Sequence, residues 1–287
     1  MRPDRFAGPA AVAAKGRVAA VRWLASRRSA QAAFLALFAS GPLVGIWITK
    51  GTLASSMTLG VLPLTDPLLL LQSLAALHVP ERSALIGASI VLAAYAVVGG
   101  RMFCSWVCPV NLLTDLAHWL RLRAGFKNAL RLNRQLRYWL LAATIAMSAA
   151  TGSVVWEAVN PVTMLHRGLL FGTLAAAGLA AVVVGAVFLF DLAVAERGWC
   201  SHLCPVGAFY GLIGRFRLLK VAAPRRADCD HCQDCFQVCP EPHVIVPALK
   251  APAGGDAAIR SIDCTNCGRC IDVCPQSVFA FSLGGKP

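Results

Sequence analysis

Acidic side chains are scarce in this chain. Its 287 residues hold 14 Asp and Glu against 27 Lys and Arg, a formal net charge of +13. Charged residues make up only 14%, where a soluble globular domain carries about 25%. Basic residues do not interleave with aromatics, so nucleic acid is excluded as a partner. No C-x-x-C-H is present, which excludes covalent haem attachment to this chain. No small-residue cleavage site closes the first apolar run, which is also too long for the core of a signal peptide. That run therefore reads as a retained anchor.

Hydrophobic residues, in contrast, reach 57%. Four runs free of formal charge approach the roughly 20 residues a bilayer crossing takes: Ser29–Thr49, Ser83–Gly100, Tyr138–Trp156 and Gly168–Phe190. Gly, Ala and Ser are frequent in them, as where helices approach closely in lipid. Arg2, Arg5, Lys15, Arg17, Arg22, Arg27 and Arg28 precede the first run, and only Lys50 and Arg82 lie between the first and second. Arg101, Arg121, Arg123, Lys127, Arg131, Arg134 and Arg137 separate the second and third; Arg167 alone separates the third and fourth. By the positive-inside rule this pattern predicts a multi-pass protein of the bacterial inner (cytoplasmic) membrane with both termini cytoplasmic. The lipid bilayer is thus an expected partner. Residues 1–28 read as a basic cytoplasmic segment, 29–220 as a four-helix membrane domain and 221–287 as a cytoplasmic two-cluster domain.

The loop Gly51–Glu81 is apolar and broken by Pro63, Pro67 and Pro80. Its run Leu68–Val79 is too short to span and reads as an interfacial or re-entrant helix, which either binds a lipid-like molecule or caps the bundle. The membrane half also repeats itself. Cys104-Ser105-Trp106-Val107-Cys108-Pro109 follows the second run, Cys200-Ser201-His202-Leu203-Cys204-Pro205 follows the fourth, and Asp66-Pro67 and Asn160-Pro161 occupy matching loop positions. The fold class expected is therefore membrane α-helical, four transmembrane helices as two parallel two-helix repeats, plus a small C-terminal α+β two-[4Fe–4S] ferredoxin-like domain.

That C-terminal domain carries the most specific signal. Cys229, Cys232, Cys235, Cys239 and Pro240, then Cys264, Cys267, Cys270, Cys274 and Pro275, each spell C-x2-C-x2-C-x3-C-P. In bacterial two-cluster ferredoxins the fourth cysteine of such a run ligates the other cluster. Cys229, Cys232, Cys235 and Cys274 are thus expected on one [4Fe–4S] cluster, and Cys264, Cys267, Cys270 and Cys239 on the second. Zinc sites pair two short hooks without a third cysteine on the same spacing, and disulfides need an oxidising compartment. Each C-x3-C-P pair places two thiols one helical turn apart. If the repeats face each other, Cys104, Cys108, Cys200 and Cys204 converge. They then hold a third cluster or a metal, act as a dithiol relay or docking site, or are structural.

With these motifs in view, the chain resembles the NapH-type ferredoxin subunits, membrane quinol dehydrogenase components of periplasmic nitrate reductase systems. The resemblance rests on Leu64–Ala75, Arg101–Asn111, Trp156–Val162, Phe188–Gly211 and Cys229–Val244, the last with Glu241-Pro242-His243 shortly after the cysteines. It implies an electron-transfer subunit taking electrons from membrane quinol toward the periplasmic reductase. The partners it implies are a periplasmic ferredoxin-type subunit and, further along, a tetrahaem quinol dehydrogenase. A membrane-anchored ferredoxin for metal reduction or maturation of a partner enzyme is the alternative, and a redox-sensing scaffold a third. Proton acceptors for quinol are sought among Asp66, His78, His118, Glu157, His166, Asp191 and His202, with none singled out as catalytic. His231 and His243 read as tuning cluster potential through hydrogen bonds. Arg225, Arg226 and Arg269 either attract an acidic partner or form a solvated basic face.

Overall fold

A computed structural model describes residues 8–126, 130, 132–172, 178–251 and 257–284. Arg2, Arg5, Lys127 and Arg131 of the charge count, and residues 173–177 of the fourth apolar run, lie outside the described residues. The elements begin with α1 (Pro9–Val44), β1 (Thr49–Gly51), β2 (Ser55–Thr58), β3 (Leu62–Thr65), α2 (Pro67–Ala75) and α3 (Arg82–Val98). There follow α4 (Met102–Trp106), α5 (Val110–Ala124), α6 (Leu136–Thr151), α7 (Pro161–Phe171), α8 (Leu179–Leu189) and α9 (Pro205–Ile213). The chain ends with β4 (Leu219–Ala222), α10 (Asp234–Val238), α11 (Ile245–Leu249), α12 (Arg269–Val273) and β5 (Ala280–Leu283).

This architecture corrects the membrane expectation. Among the described residues no helix is long and apolar enough to cross a membrane. The four transmembrane helices, their arrangement as two parallel two-helix repeats, and the multi-pass inner-membrane placement with both termini cytoplasmic are therefore withdrawn. The reason is where the helices stop. The first apolar run leaves helix after Val44 and enters β1 at Thr49. The second forms a helix of 17 residues that begins at a charged Arg82. The third ends as helix at Thr151, and the fourth is divided between α7 and α8. Hydropathy records how apolar a stretch is, but not where its helix is capped.

The chain divides into two compact units. Unit one comprises Met1–Ala30, Tyr95–Trp106 and Tyr210–Pro287; unit two comprises Gln31–Ala94 and Val107–Phe209.

In unit two, β1, β2 and β3 form an antiparallel sheet in that order, with Thr49 opposite Thr58 and Ser55 opposite Thr65. This sheet takes up the first part of the apolar, proline-broken loop, ahead of the run Leu68–Val79 expected to be helical. Its next element, α2, starts on a cap: the Asp66 carboxylate accepts from Leu68 N–H at 3.0 Å, with Pro67 at the first helical position. Asn160 does the same for α7, accepting from Val162 N–H at 3.1 Å ahead of Pro161. Such a residue followed by Pro is a strong helix start, so the repeat in sequence is a repeat of caps. Several buried polar groups inside unit two are matched. Buried Gln72 accepts through Oε1 from Ser148 Oγ at 3.3 Å and from Trp156 N–H at 3.0 Å. Arg121 and Arg137 donate to the carbonyls of Leu192 and Ser201 at 2.7 and 3.2 Å. Large apolar side chains stay exposed on its helices, Ile86, Leu92, Trp139 and Val182 among them, as on surfaces that meet a partner.

Unit one is built on a small apolar core of Val221, Val244, Ile245, Ile259, Val273, Val278 and Phe279, interleaved with Cys235, Cys270 and Cys274. Each such apolar side chain contributes about 1.5–3 kcal/mol on burial. β4 and β5 pair antiparallel, Leu219 opposite Leu283 and Ala222 opposite Ala280. Buried Arg217 donates to the carbonyls of Ile259 and Ser261 at 2.7 and 2.8 Å, shaping the approach to the second cysteine run. Gly100 is pressed so closely against the carbonyl oxygen of Tyr210 that no Cβ fits there.

Candidate iron–sulfur centre

The two cysteine runs fold alike, residue for residue. In the first, His231 and Gln233 take left-handed φ of 57° and 63°. In the second, Asn266 and Gly268 do so at 48° and 72°. Left-handed residues at these two offsets curl the chain so that successive thiols face one centre. A five-residue helix follows in each run, α10 and α12, and holds the third cysteine. The fourth cysteine, Cys239 or Cys274, caps that helix in extended conformation with ψ of 129° or 114°. Pro240 and Pro275 then prevent the helix from continuing.

The thiols group across the runs. Burial first, then the charges of Cys274, Cys232 and Cys229, push Cys235 up to about 12, against the Phe236 N–H. Burial drives Cys270 well above the usual thiol range, with Cys267, Cys239 and Cys264 next in effect. Cys264 is raised to about 11 by burial, against which the Asn266 N–H and the charges of Arg217 and Arg101 act. Cys267 runs the other way: burial disfavours its thiolate, but Arg269, Arg27, the Arg269 N–H and the Thr265 side chain outweigh it. A Val278 N–H donates to Cys274 Sγ at 3.4 Å. Crowded, buried thiols of this kind are poor free groups and good metal ligands, since a metal takes each as thiolate and shares the charge. The donor set therefore fits iron–sulfur clusters.

The surroundings of the second run hold side chains that motif spacing does not find. Arg101 Nη1 pairs with Glu241 Oε1 at 2.9 Å, both nearly inaccessible, and donates to the Asp263 carbonyl at 2.7 Å. His243 Nε2 lies 2.9 Å from Asp263 Oδ2 and its Nδ1 3.7 Å from Glu241 Oε2. Glu241, His243 and Asp263 converge closely enough to hold a metal, but Arg101 already takes the buried carboxylate of Glu241. Of the two histidines expected beside the clusters, His231 serves the loop through its left-handed backbone and is exposed.

The C-x3-C-P cysteines distribute between the units. Cys104, on α4, belongs to unit one, while Cys108, Cys200 and Cys204 belong to unit two. α4 ends at Trp106, before Cys108, and Cys200 sits on a π-helical turn, Trp199–Leu203, which Cys204 follows in extended conformation. Such turns are rare and frequent at functional sites. Cys200 Sγ lies 4.0 Å from Thr114 Oγ1, and Cys108 and Cys204 are buried.

Comparison with known proteins agrees with this chemistry. A 4Fe-4S dicluster domain model matches residues 228–278, and a 4Fe-4S binding domain model matches 83–127 and 171–224. The methylamine utilization ferredoxin-type protein MauN of Paracoccus denitrificans is 54% identical over 84% of this chain and 83% of its own length. MauN of Methylorubrum extorquens is 52% identical over 83% and 82%. The ferredoxin-type protein NapH of Escherichia coli is 48% identical over 84% and 83%. The chain belongs to the NapH and MauN ferredoxin-type family. No solved structure matches it.

As a member of the NapH and MauN family, the chain is an iron–sulfur electron-transfer protein. The two stretches matched by the 4Fe-4S binding domain model each contain one C-x3-C-P pair. Several of the residues sought as proton acceptors have other occupations. Asp66 is a helix cap, and Glu157 accepts from the Asn160 side chain at 3.1 Å. His118 lies 3.4 Å from Glu196, and His78 is exposed. His166 is sealed against the Phe38 ring, centroids 4.6 Å apart, and burial lowers it to about 4, so it stays neutral.

Proposed function

We propose that this protein is the iron–sulfur electron-transfer subunit of a quinol-oxidising complex that passes electrons toward a periplasmic reductase. In this reading Cys229, Cys232, Cys235 and Cys274 hold one [4Fe–4S] cluster, and Cys264, Cys267, Cys270 and Cys239 hold the other. When bound, such clusters take up and release single electrons, so a two-electron quinol delivers its electrons in two steps. The chain's own residues supply thiolates, exclude water with the Val221, Ile245 and Phe279 core, and direct the Val278 N–H at a ligand sulfur. The observation that carries the reading is the crossed grouping of the eight thiols, with Cys274 beside the first run and Cys239 beside the second. The partners this implies are a periplasmic ferredoxin-type subunit and a tetrahaem quinol dehydrogenase.

A second reading has its own support. Two relatives named for methylamine utilization are 54% and 52% identical, against 48% for NapH. That favours a ferredoxin-type protein that serves methylamine utilization.

Iron and acid-labile sulfide on anaerobically purified protein, with EPR before and after a quinol analogue, separates the readings. About eight irons with quinol-induced cubane signals is the expected result, and about twelve would add the C-x3-C-P site. Clusters that dithionite reduces and quinol does not, even with partner subunits present, would replace the first reading with the second.

A further inference from the structure

The two runs share one sequence pattern and one local backbone, yet their surroundings differ. In the first, Cys232 and its neighbours from Asp230 to Gln233 are exposed. In the second, every residue from Thr265 to Arg269 is buried. Part of what lies over the second run is α1, whose helical path breaks at Gly16 (φ 80°) between Lys15 and Trp23. The Lys15 ammonium donates to the Ile271 carbonyl at 2.6 Å. The backbone N–H groups of Trp23 and Leu24 donate to the two oxygens of the Asp272 carboxylate at 3.1 and 2.8 Å. The Trp23 side chain lies against Gly268, where an added Cβ would stand 2.7 Å away, and its ring packs edge-on to Phe281 at 4.6 Å. One turn further, Arg27 is 1% exposed. Arg stays protonated at any working pH, so it is a fixed positive charge inside unit one.

Two effects then compete at the second cluster. Excluding water disfavours reduction, because reduction adds a negative charge that loses hydration. A buried cation favours it, since its field is little screened there. Other charges face the site as well: Arg101 is paired with Glu241, Arg217 stands near Cys264 and Asp263, Arg269 near Cys267, and Asp272 near Arg27 and Lys15. The N-terminal segment brings two cations to this run, Lys15, which is half-buried, and Arg27, which is buried.

We propose that the N-terminal helix is a redox-setting cover, in which Trp23 seals the second cluster from water and Arg27 holds its reduction potential up. The proposal rests on the two-cluster reading above. The step concerned is uptake of one electron from a one-electron donor, with no bond made or broken. Arg27 is thus a positioning residue for charge, and no ligand.

The test is an EPR-monitored redox titration of the full chain, purified anaerobically, with dithionite as reductant. Cys232→Ser identifies the first cluster's signal as the one it alters. In Arg27→Met the reduced-to-oxidised ratio of the other signal, at fixed potential, should fall at least threefold, which is about 28 mV at 59 mV per tenfold change. The first cluster's signal should hold, and Arg27→Lys should restore the wild-type midpoint. An unchanged midpoint in Arg27→Met, or equal shifts of both signals, overturns the proposal. So does loss of iron from both Arg27→Met and Arg27→Gln while Arg27→Lys keeps it, which assigns Arg27 to assembly. Fewer than about eight irons in the wild-type protein sinks the two-cluster reading itself, an outcome distinct from these.

Discussion

Glu241 and Asp191 show how burial sets the behaviour of single charged residues here. The Glu241 carboxylate is 1% exposed and its partner Arg101 2%. Removing one member of such a pair leaves the other charge uncompensated, at about 3–5 kcal/mol. Glu241→Gln should therefore lower the denaturation midpoint sharply, while Glu241→Asp should cost less. Equal stability of Glu241→Gln and wild type would mean that Arg101 is held by its contact to the Asp263 carbonyl instead. Asp191 is fully buried and pushed up to about 7, by burial first, with the Trp199 N–H, Arg197, Arg121 and the Gly198 N–H pulling it back. The folded state thus binds this proton more tightly than the unfolded state. Its stabilising effect is complete below the unfolded value of 3.8 and is lost as pH rises toward about 7. Wild-type stability should fall between about pH 4 and 7, by up to about 1.4 kcal/mol per pH unit, read from thermal unfolding, and Asp191→Asn should flatten that slope. Parallel pH profiles for the two proteins would refute the assignment.

At the level of elements, the paired five-residue helices and their left-handed lead-ins carry the site. Gly268 combines a φ of 72° with contact to Trp23, so Gly268→Ala meets both backbone strain and a clash. It should cost at least 1–3 kcal/mol and release iron from the protein. Gln233 holds the equivalent backbone position at φ 63°, exposed and without that neighbour. Gln233→Gly should be neutral or stabilising by about 1 kcal/mol, read from the same unfolding curves. If Gly268→Ala retained full iron and stability, the packing of Trp23 on this turn would not be what the structure describes. The Asx-Pro caps at Asp66 and Asn160 were visible in sequence as a repeat. Their role was not, because a cap is defined by which N–H groups follow it.

For the whole molecule, the cysteines are part of the core of unit one, since Cys235, Cys270 and Cys274 pack among Val273, Val278 and Phe279. Removing iron with a chelator after ferricyanide oxidation should expose amides of residues 210–284 to hydrogen exchange. Residues 132–172 of unit two should keep their protection, because their packing around Gln72 and Ser148 involves no cluster ligand. Uniform loss of protection across both would mean that the fold is one cooperative block.

The sequence by itself determined the chemistry. Two copies of C-x2-C-x2-C-x3-C-P set thiol count and cluster type through short-range spacing. It did not determine the architecture around that chemistry. Apolar runs predicted membrane spans, yet the helices stop at Val44, Val98, Thr151 and Leu189, because caps, a sheet and tertiary contacts end a helix where composition does not. Tertiary structure alone brought Arg101 to Glu241 and Arg27 and Trp23 to the second cysteine run. These contacts join residues more than a hundred positions apart, and their selection depends on charge and shape meeting in space, which no local pattern encodes.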